Sequence, residues 1–235
     1  MDPMLSVIIP TRNAERGLSA CLDSIHPARQ DGLIEEVIVV DADSADASIA
    51  VAERHGCVTL SSPAGRARQM HAGANRADAP WLLFLHADVV LESGWEKEVR
   101  EFIRHRGANT HIAAVFRFAL QHTSKKARAL EQIVSLRCRW LALPYGDQGL
   151  LISADFYRSL DGFAILPLME DVELVRRIGR KRLALLRSRA CSDAVRYQSD
   201  GFLARATRNI TLTSLFLLGV PAERLANFYD TKSKP

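Results

Sequence analysis

The 235-residue chain uses cysteine sparingly: four, at positions 21, 57, 138 and 191, with no Cys-x-x-Cys pair and no histidine–cysteine cluster. That pattern excludes a disulfide-stapled scaffold and argues against structural zinc; free thiols in a reducing, cytoplasmic setting are expected. Long apolar runs are missing too. The longest stretch without a charged residue is the 14 residues from Asn209 to Ala222, whereas a membrane-spanning helix needs about 20 apolar residues. The first apolar run is short and has no basic leader, so no signal peptide is expected. Neither sign of charge dominates. Lysine plus arginine is 31 and aspartate plus glutamate is 27, leaving a net charge of +4, too little to imply nucleic acid. No internal repeat, low-complexity tract or linker divides the chain, so a single domain over residues 1–235 is expected.

What is present is an ordinary globular composition, 48% hydrophobic and 25% charged, at a length that buries a substantial core. Short all-apolar runs alternate with amphipathic ones. Leu5–Ile9, Val37–Val40, Val58–Leu60 and Trp81–Leu85 read as strands, separated by helical patterns over Glu15–Ile25, Ser48–His55 and Ala64–Arg76. Strands apolar at every position and separated by helices predict a mostly parallel sheet covered on both faces, an α/β three-layer domain. The second half is less regular. It offers helices over Trp95–His105, Ser124–Leu143, Glu170–Arg180 and Phe202–Leu218, and strands over Ala113–Leu120 and Gly149–Ile152.

Open parallel sheets bind ligands beyond the carboxyl ends of their strands. Three predicted strands end in polar segments: Pro10-Thr11-Arg12-Asn13, Asp41-Ala42-Asp43-Ser44 and His86-Ala87-Asp88. Any one could be helix capping by Asp43 or Ser44, or a turn aspartate; all three together predict one ligand edge. Magnesium or manganese takes one or two protein carboxylates and completes its shell with phosphate and water. Asp88, assisted by His86, fits that pattern. Gly65-Arg66-Ala67-Arg68 opens a helix, and amides plus guanidinium groups there favour a diphosphate. Pro144-Tyr145-Gly146-Asp147-Gln148-Gly149 is a polar turn. Met169-Glu170-Asp171-Val172-Glu173 puts three carboxylates at a helix start, where they complement the dipole or supply a general base.

Taken in order, SVIIPTRNA, VIVVDADSAD, GRARQMHAG, LLFLHAD, PYGDQG and PLMEDVEL resemble glycosyltransferase family 2, the inverting nucleotide-sugar enzymes of the GT-A fold. The likeness runs from about Leu5 to Arg182 and is nearest the subgroup known as arsenosugar-biosynthesis-type glycosyltransferases. The resemblance implies a donor-binding half over 1–90, an acceptor and catalytic half over 91–190 and a helical extension over 191–235. It implies that Pro10, Thr11 and Asn13 line the nucleotide pocket, that Asp41 binds base or ribose, and that Asp43 supports that loop. Arg66, with Arg68, Ala87 and Glu170, belongs to the donor side. Asp88, with His86, would hold the metal, Asp147 and Gln148 would face sugar or acceptor, and Asp171 would be the catalytic base.

The sequence departs from the family at three places. The metal motif reads His86-Ala87-Asp88, without its first carboxylate, as in the subgroup. His71 stands where asparagine is common. Ser192-Asp193-Ala194-Val195-Arg196-Tyr197 replaces the QxxRW signature of processive members, which implies single sugar additions to a small-molecule or lipid acceptor. Two alternatives stand beside this expectation. A nucleotidyltransferase of similar fold would need a glycine-rich, lysine-bearing loop where Pro10–Asn13 lies. A non-catalytic relative that binds nucleotide sugars would have no need of Asp88, Asp147 and Asp171. The apolar face of the last helix is expected to pack on the core or against a second copy of the chain. Peripheral contact with the inner face of the cell membrane is the alternative.

Overall fold

The structure, a computed structural model of the chain, describes residues 4–106, 111–193 and 201–230. Eight strands form one sheet: β1 (Leu5–Thr11), β2 (Ile34–Asp41), β3 (Val58–Ser61), β4 (Trp81–Phe84), β5 (Val89–Leu91), β6 (Ala113–Leu120), β7 (Leu150–Ser153) and β8 (Leu183–Ser192). Nine helices accompany them among the described residues: α1 (Glu15–Gln30), α2 (Ser48–Arg54), α3 (Arg66–Arg76), α4 (Trp95–Arg106), α5 (Lys125–Leu141), α6 (Ala154–Ser159), α7 (Glu170–Ile178), α8 (Phe202–Leu217) and α9 (Ala222–Asp230). The strand order is β3-β2-β1-β4-β7-β6-β8-β5. Pairings β1–β2, β1–β4, β2–β3 and β6–β8 are parallel; those of β7 with β4 and β6, and of β5 with β8, are antiparallel.

Side chains of β1 alternate between two apolar layers, as a pleated strand requires. Leu5, Val7 and Ile9 pack under α1, α2 and α4 with Leu18, Leu22, Val51, Trp95 and Val99. Ile8 faces the other way, with Val40, Leu82 and Phe84, toward Met70 of α3, Phe156 of α6 and Leu174 of α7. This is the expected three-layer arrangement.

Four elements are absent from the sequence-based reading: β5, β8, α6 and α9. Helix α1 also runs past Ile25 to Gln30, with Pro27 inside its last turns. Helix α5 starts at its Ser124 cap, whose hydroxyl accepts from the Ala127 amide. Helix α8 packs against α5 through Ala206, and against α7 and α9 through Leu212, which is buried with Met169, Val172 and Leu225. No helix among the described residues is long and apolar enough to cross a membrane.

Direction matters for the site. Because β7 runs against its neighbours, its beginning lies where β4 ends. The turn Tyr145–Gly149 therefore reaches the edge at which the His86–Asp88 segment emerges from β4.

Candidate active site

That edge holds a cavity of about 290 Å3 walled by residues from six parts of the chain. Arg66 comes from the start of α3, His86 and Asp88 from the segment after β4, Tyr145, Gly146 and Asp147 from the turn before β7. Met169, Asp171 and Val172 come from the start of α7, and Arg205, Asn209, Leu212 and Thr213 from one face of α8.

Asp171 is held at both oxygens. Oδ2 accepts from the Gly146 amide at 2.6 Å, and Oδ1 accepts from the Val172 amide at 2.7 Å. Each carboxylate oxygen has a second lone pair, so the group is fixed in orientation with acceptor capacity to spare. Met169, just before it, has φ +67°, a conformation uncommon outside glycine, asparagine and aspartate. It turns the chain into α7.

Arg66 faces two groups. Its Nε lies 2.7 Å from Glu170 Oε1, and its Nη1 lies 3.3 Å from His86 Nε2. Glu170 is only 2% exposed while Arg66 is 41% exposed. Burial raises the Glu170 carboxyl above the usual range, and the Arg66 charge opposes that rise. A guanidinium only donates hydrogen bonds, so in this contact His86 Nε2 is the accepting side. Among the described residues no hydrogen bond or ion pair reaches the Asp88 carboxylate, which faces the cavity. A lone, unpaired carboxylate in a polar hollow is a donor set that suits magnesium or manganese with a diphosphate, although no cluster of three acidic, histidine or cysteine side chains exists among the described residues.

Asp147 is half-buried, and its Oδ1 is out of solvent with no hydrogen-bond partner among the described residues. Desolvation is the largest influence on it. Asp171 and Asp88 act in the same sense and Arg137 opposes them, bringing its pKa up to about 6. Tyr145 is pinned beside it: its ring carries the Arg137 guanidinium 3.4 Å away, and its hydroxyl accepts from Thr213 at 2.9 Å.

The structure gathers Arg66, His86, Asp88, Asp147 and Asp171, with Glu170 reached through Arg66. It does not bring every expected residue to this cavity. Pro10, Thr11, Asn13, Asp41 and Asp43 make a separate cluster where β1 and β2 end. Asn13 Oδ1 accepts from the Ala45 amide, its own amide donates to Ser44 Oγ, and Asp41 accepts from the Ser44 amide and hydroxyl. Ser44 is therefore a loop tie rather than a helix cap. Asp43 and Asn13 both adopt positive φ, which short polar side chains tolerate. Gln69 of α3 secures this cluster by donating to the Thr11 and Val40 carbonyls at 2.9 and 2.7 Å. Ala87 is buried.

Two expected contacts are corrected. Gln148 turns away from the cavity. It is buried, its amide nitrogen donates to the Phe116 carbonyl, and its oxygen accepts from Cys138 Sγ and the Tyr145 amide. It braces the turn from behind because a buried carbonyl needs a donor. Arg68 does not join Arg66; it is exposed, with its stem beside Gly65. Of the Ser192–Tyr197 segment, Ser192 and Asp193 line the cavity, and 194–197 lie outside the described residues.

The glycosyl transferase family 2 profile matches residues 6–148, more than half of the chain. The chain belongs to glycosyltransferase family 2. A PGL/p-HBAD biosynthesis glycosyltransferase of Mycobacterium tuberculosis is 38% identical over 93 residues, which is 37% of this chain and 36% of the relative. An uncharacterized glycosyltransferase of Rickettsia felis is 24% identical over 119 residues, 50% of this chain and 40% of that protein. The chain thus aligns with well under half the length of these curated relatives. In three dimensions it is similar to glucosyl-3-phosphoglycerate synthase from Mycobacterium tuberculosis, solved with Mn2+, uridine diphosphate and glucosyl-3-phosphoglycerate. The TM-score is 0.64 at 18% identity, covering 93% of this chain and 81% of that one. S. aureus TarS superposes with TM-score 0.62 at 16% identity, covering 94% and 68%. Both likenesses establish the GT-A type fold.

Family motifs do not point to the wall contributed by α8. Arg205, Asn209 and Thr213 recur at every fourth position of α8, so they share one face. That polar stripe is the signal that could have found them.

Proposed function

We propose that the chain is an inverting glycosyltransferase that moves a sugar from a nucleoside-diphosphate sugar to a hydroxyl of a small-molecule or lipid acceptor. The observation that carries this reading is Asp171, fixed by two backbone amides in a cavity that also holds the unpaired Asp88 carboxylate. In this reading the donor half is 1–90, the acceptor and catalytic half 91–190, and 191–235 a helical extension. Pro10, Thr11 and Asn13 line the nucleotide pocket, Asp41 holds the base or ribose, and Asp43 supports that loop.

The acceptor hydroxyl gives its proton to Asp171 as its oxygen attacks the anomeric carbon. The bond from that carbon to the diphosphate breaks in the same step, and the configuration inverts. Holding the base in line with the acceptor is where fixed geometry contributes most. Asp88 would hold a divalent cation, magnesium or manganese, which when bound offsets charge on the diphosphate. Arg66 lies beside the leaving diphosphate and adds a fixed positive charge there. Four free cysteines fit a reducing, cytoplasmic setting.

The test is melting temperature against a panel of nucleoside diphosphates, with and without manganese. A ligand at about 100 times its dissociation constant adds roughly 2.7 kcal/mol. A manganese-dependent rise with one nucleotide, lost in Asp88→Asn, is expected. No rise with any nucleotide in folded protein would remove the donor site and the reading with it.

A further inference from the structure

Helices α5 and α8 touch where Ala206 meets the cluster of Leu130 and Val134, and a second hollow of about 240 Å3 lies between them. Its walls are mostly apolar, with Ile133 and Val134 on one side and Ile210 and Leu217 on the other; Arg137, stacked on the Tyr145 ring, also lines it. Its inner end is formed by Tyr145, Asp147, Asn209 and Thr213, and these four also line the catalytic cavity. The two hollows therefore adjoin across a shared polar wall.

The apolar part is left open to solvent. Ile133 is 47% exposed and Ile210 is 44% exposed, and the stripe continues along α5 through Leu136 to Trp140, itself 70% exposed. Contiguous exposed apolar surface beside a polar site marks a binding surface rather than ordinary scatter. The size of the hollow limits its occupant. It takes a ring or a short alkyl segment, not a helix of a partner protein, whose diameter with side chains is about 10–12 Å. The shared wall limits it further. Asp147 Oδ1 is buried there and meets no partner among the described residues, and an acceptor left in that state is costly until a donor reaches it.

We propose that this hollow seats the apolar body of an amphiphilic acceptor, with a polar head that donates to Asp147 and sets the reacting hydroxyl against Asp171. The inference rests on the glycosyl-transfer reading and names the class of acceptor for it. The acceptor is neither a free polar sugar nor a bare lipid surface. It is one molecule with a hydroxyl-bearing head and an alkyl or aryl body.

The experiment titrates methyl, butyl, hexyl and octyl β-glucosides, each below its micelle concentration, into the full-length protein, with binding read by calorimetry. Affinity should climb about threefold to fourfold for each methylene that enters the hollow. In the double variant Ile133→Gln, Ile210→Gln the climb should flatten to less than twofold across the series. Its melting response to nucleoside diphosphate with manganese should be unchanged. Both substitutions fall at half-exposed helix positions, so the fold is expected to survive. Equal affinities for methyl and octyl glucoside in the unaltered protein would overturn the proposal, as would an undiminished climb in the double variant. If the double variant instead loses self-association in light scattering, or loses vesicle binding, with the series untouched, the face belongs to a second copy or a lipid surface and the proposal fails. Protein that responds to nucleotide but shows no climb loses this inference alone. Protein that shows the climb but no nucleotide response loses the transfer reading, and with it the acceptor role of the hollow.

Discussion

The Gly146 amide donates to Asp171 Oδ2 at 2.6 Å, and a Cβ on the same residue would stand 3.3 Å from that oxygen and 2.7 Å from His86 Nε2. One residue thus supplies the hydrogen bond that aims the carboxylate and leaves the space in which it sits. Gly146→Ala should displace either His86 or Asp171. A misplacement of about 1 Å at a reacting group costs on the order of 100-fold in rate. The expected result is a turnover loss of that order with the melting temperature little changed; steady-state kinetics beside a thermal melt measure both. Full activity in the alanine variant would show that the turn yields freely.

Asp171→Asn removes the proposed base but keeps an oxygen to accept from a backbone amide. Turnover should fall by a factor of about 100 or more, the usual contribution of general base catalysis, while nucleotide binding is kept. A variant that turns over normally would exclude Asp171 from proton transfer.

A second close approach lies beneath the His86–Asp88 segment. A Cβ on Gly17 of α1 would meet the Ala87 carbonyl oxygen at 2.9 Å and Asp88 Cα at 3.0 Å. Both are backbone atoms, which cannot swing aside as a side chain would. Gly17→Ala should shift Asp88 and weaken manganese-dependent nucleotide binding by about tenfold or more, as a few tenths of an ångström matter in coordination. Binding measured without metal should change far less. Equal losses in both arms would mean that the helix, not Asp88, had moved.

Arg66 and Glu170 form a pair with one partner buried and the other near the surface. Removing the cation strands a carboxylate that is 2% exposed. A fully buried pair broken this way costs about 3–5 kcal/mol, and the exposure of Arg66 reduces that to roughly 1–3 kcal/mol. Arg66→Ala should therefore lower the urea midpoint clearly, Arg68→Ala scarcely, and Glu170→Gln should recover most of the loss in the double variant. Additive losses would show that the two side chains do not depend on each other.

Asp147 makes stability depend on pH in an unusual sense. Its folded pKa is about 6, above the ordinary aspartate value of about 3.9, so the folded chain binds the proton more tightly. Its stabilising contribution is complete below about pH 4 and is lost as pH rises through about 6. Asp147→Asn removes that loss. In metal-free buffer the variant should gain on the order of 1 kcal/mol over the unaltered protein between pH 4 and 7. Parallel pH profiles from urea titrations would show that the carboxyl titrates normally.

Much of this was legible in the order of residues. The apolar runs of β1, β2 and β4, each closed by a polar tripeptide or tetrapeptide, specify both the sheet and its functional edge. Strand direction was not legible. Every residue of β7 is buried, so the apolar run Leu150–Ile152 reads the same whichever way it runs, and only its pairing reveals the reversal. β8 was hidden by Arg187 and Arg189, which alternate outward from buried Leu186 and Ala190; a strand with charged residues on one face resembles a loop when read for apolar runs alone. Gln148 misled for a related reason. A polar side chain beside a site can face the ligand or satisfy the buried backbone behind it, and composition does not distinguish the two.

The order in which strands pair has a consequence in time. Strands β1, β2 and β3 pair through residues near one another in the chain, whereas β4 closes a longer loop onto β1, β7 one of similar length onto β4, and β8 the longest, onto β5. Contacts of that span form late in folding, because loop-closure entropy is lost before they give anything back. Asp88 and Asp171 sit on opposite sides of that closure. A chain emerging from synthesis can assemble the ends of β1 and β2 early, yet it brings Asp171 opposite Asp88 only once β7 and α7 have arrived.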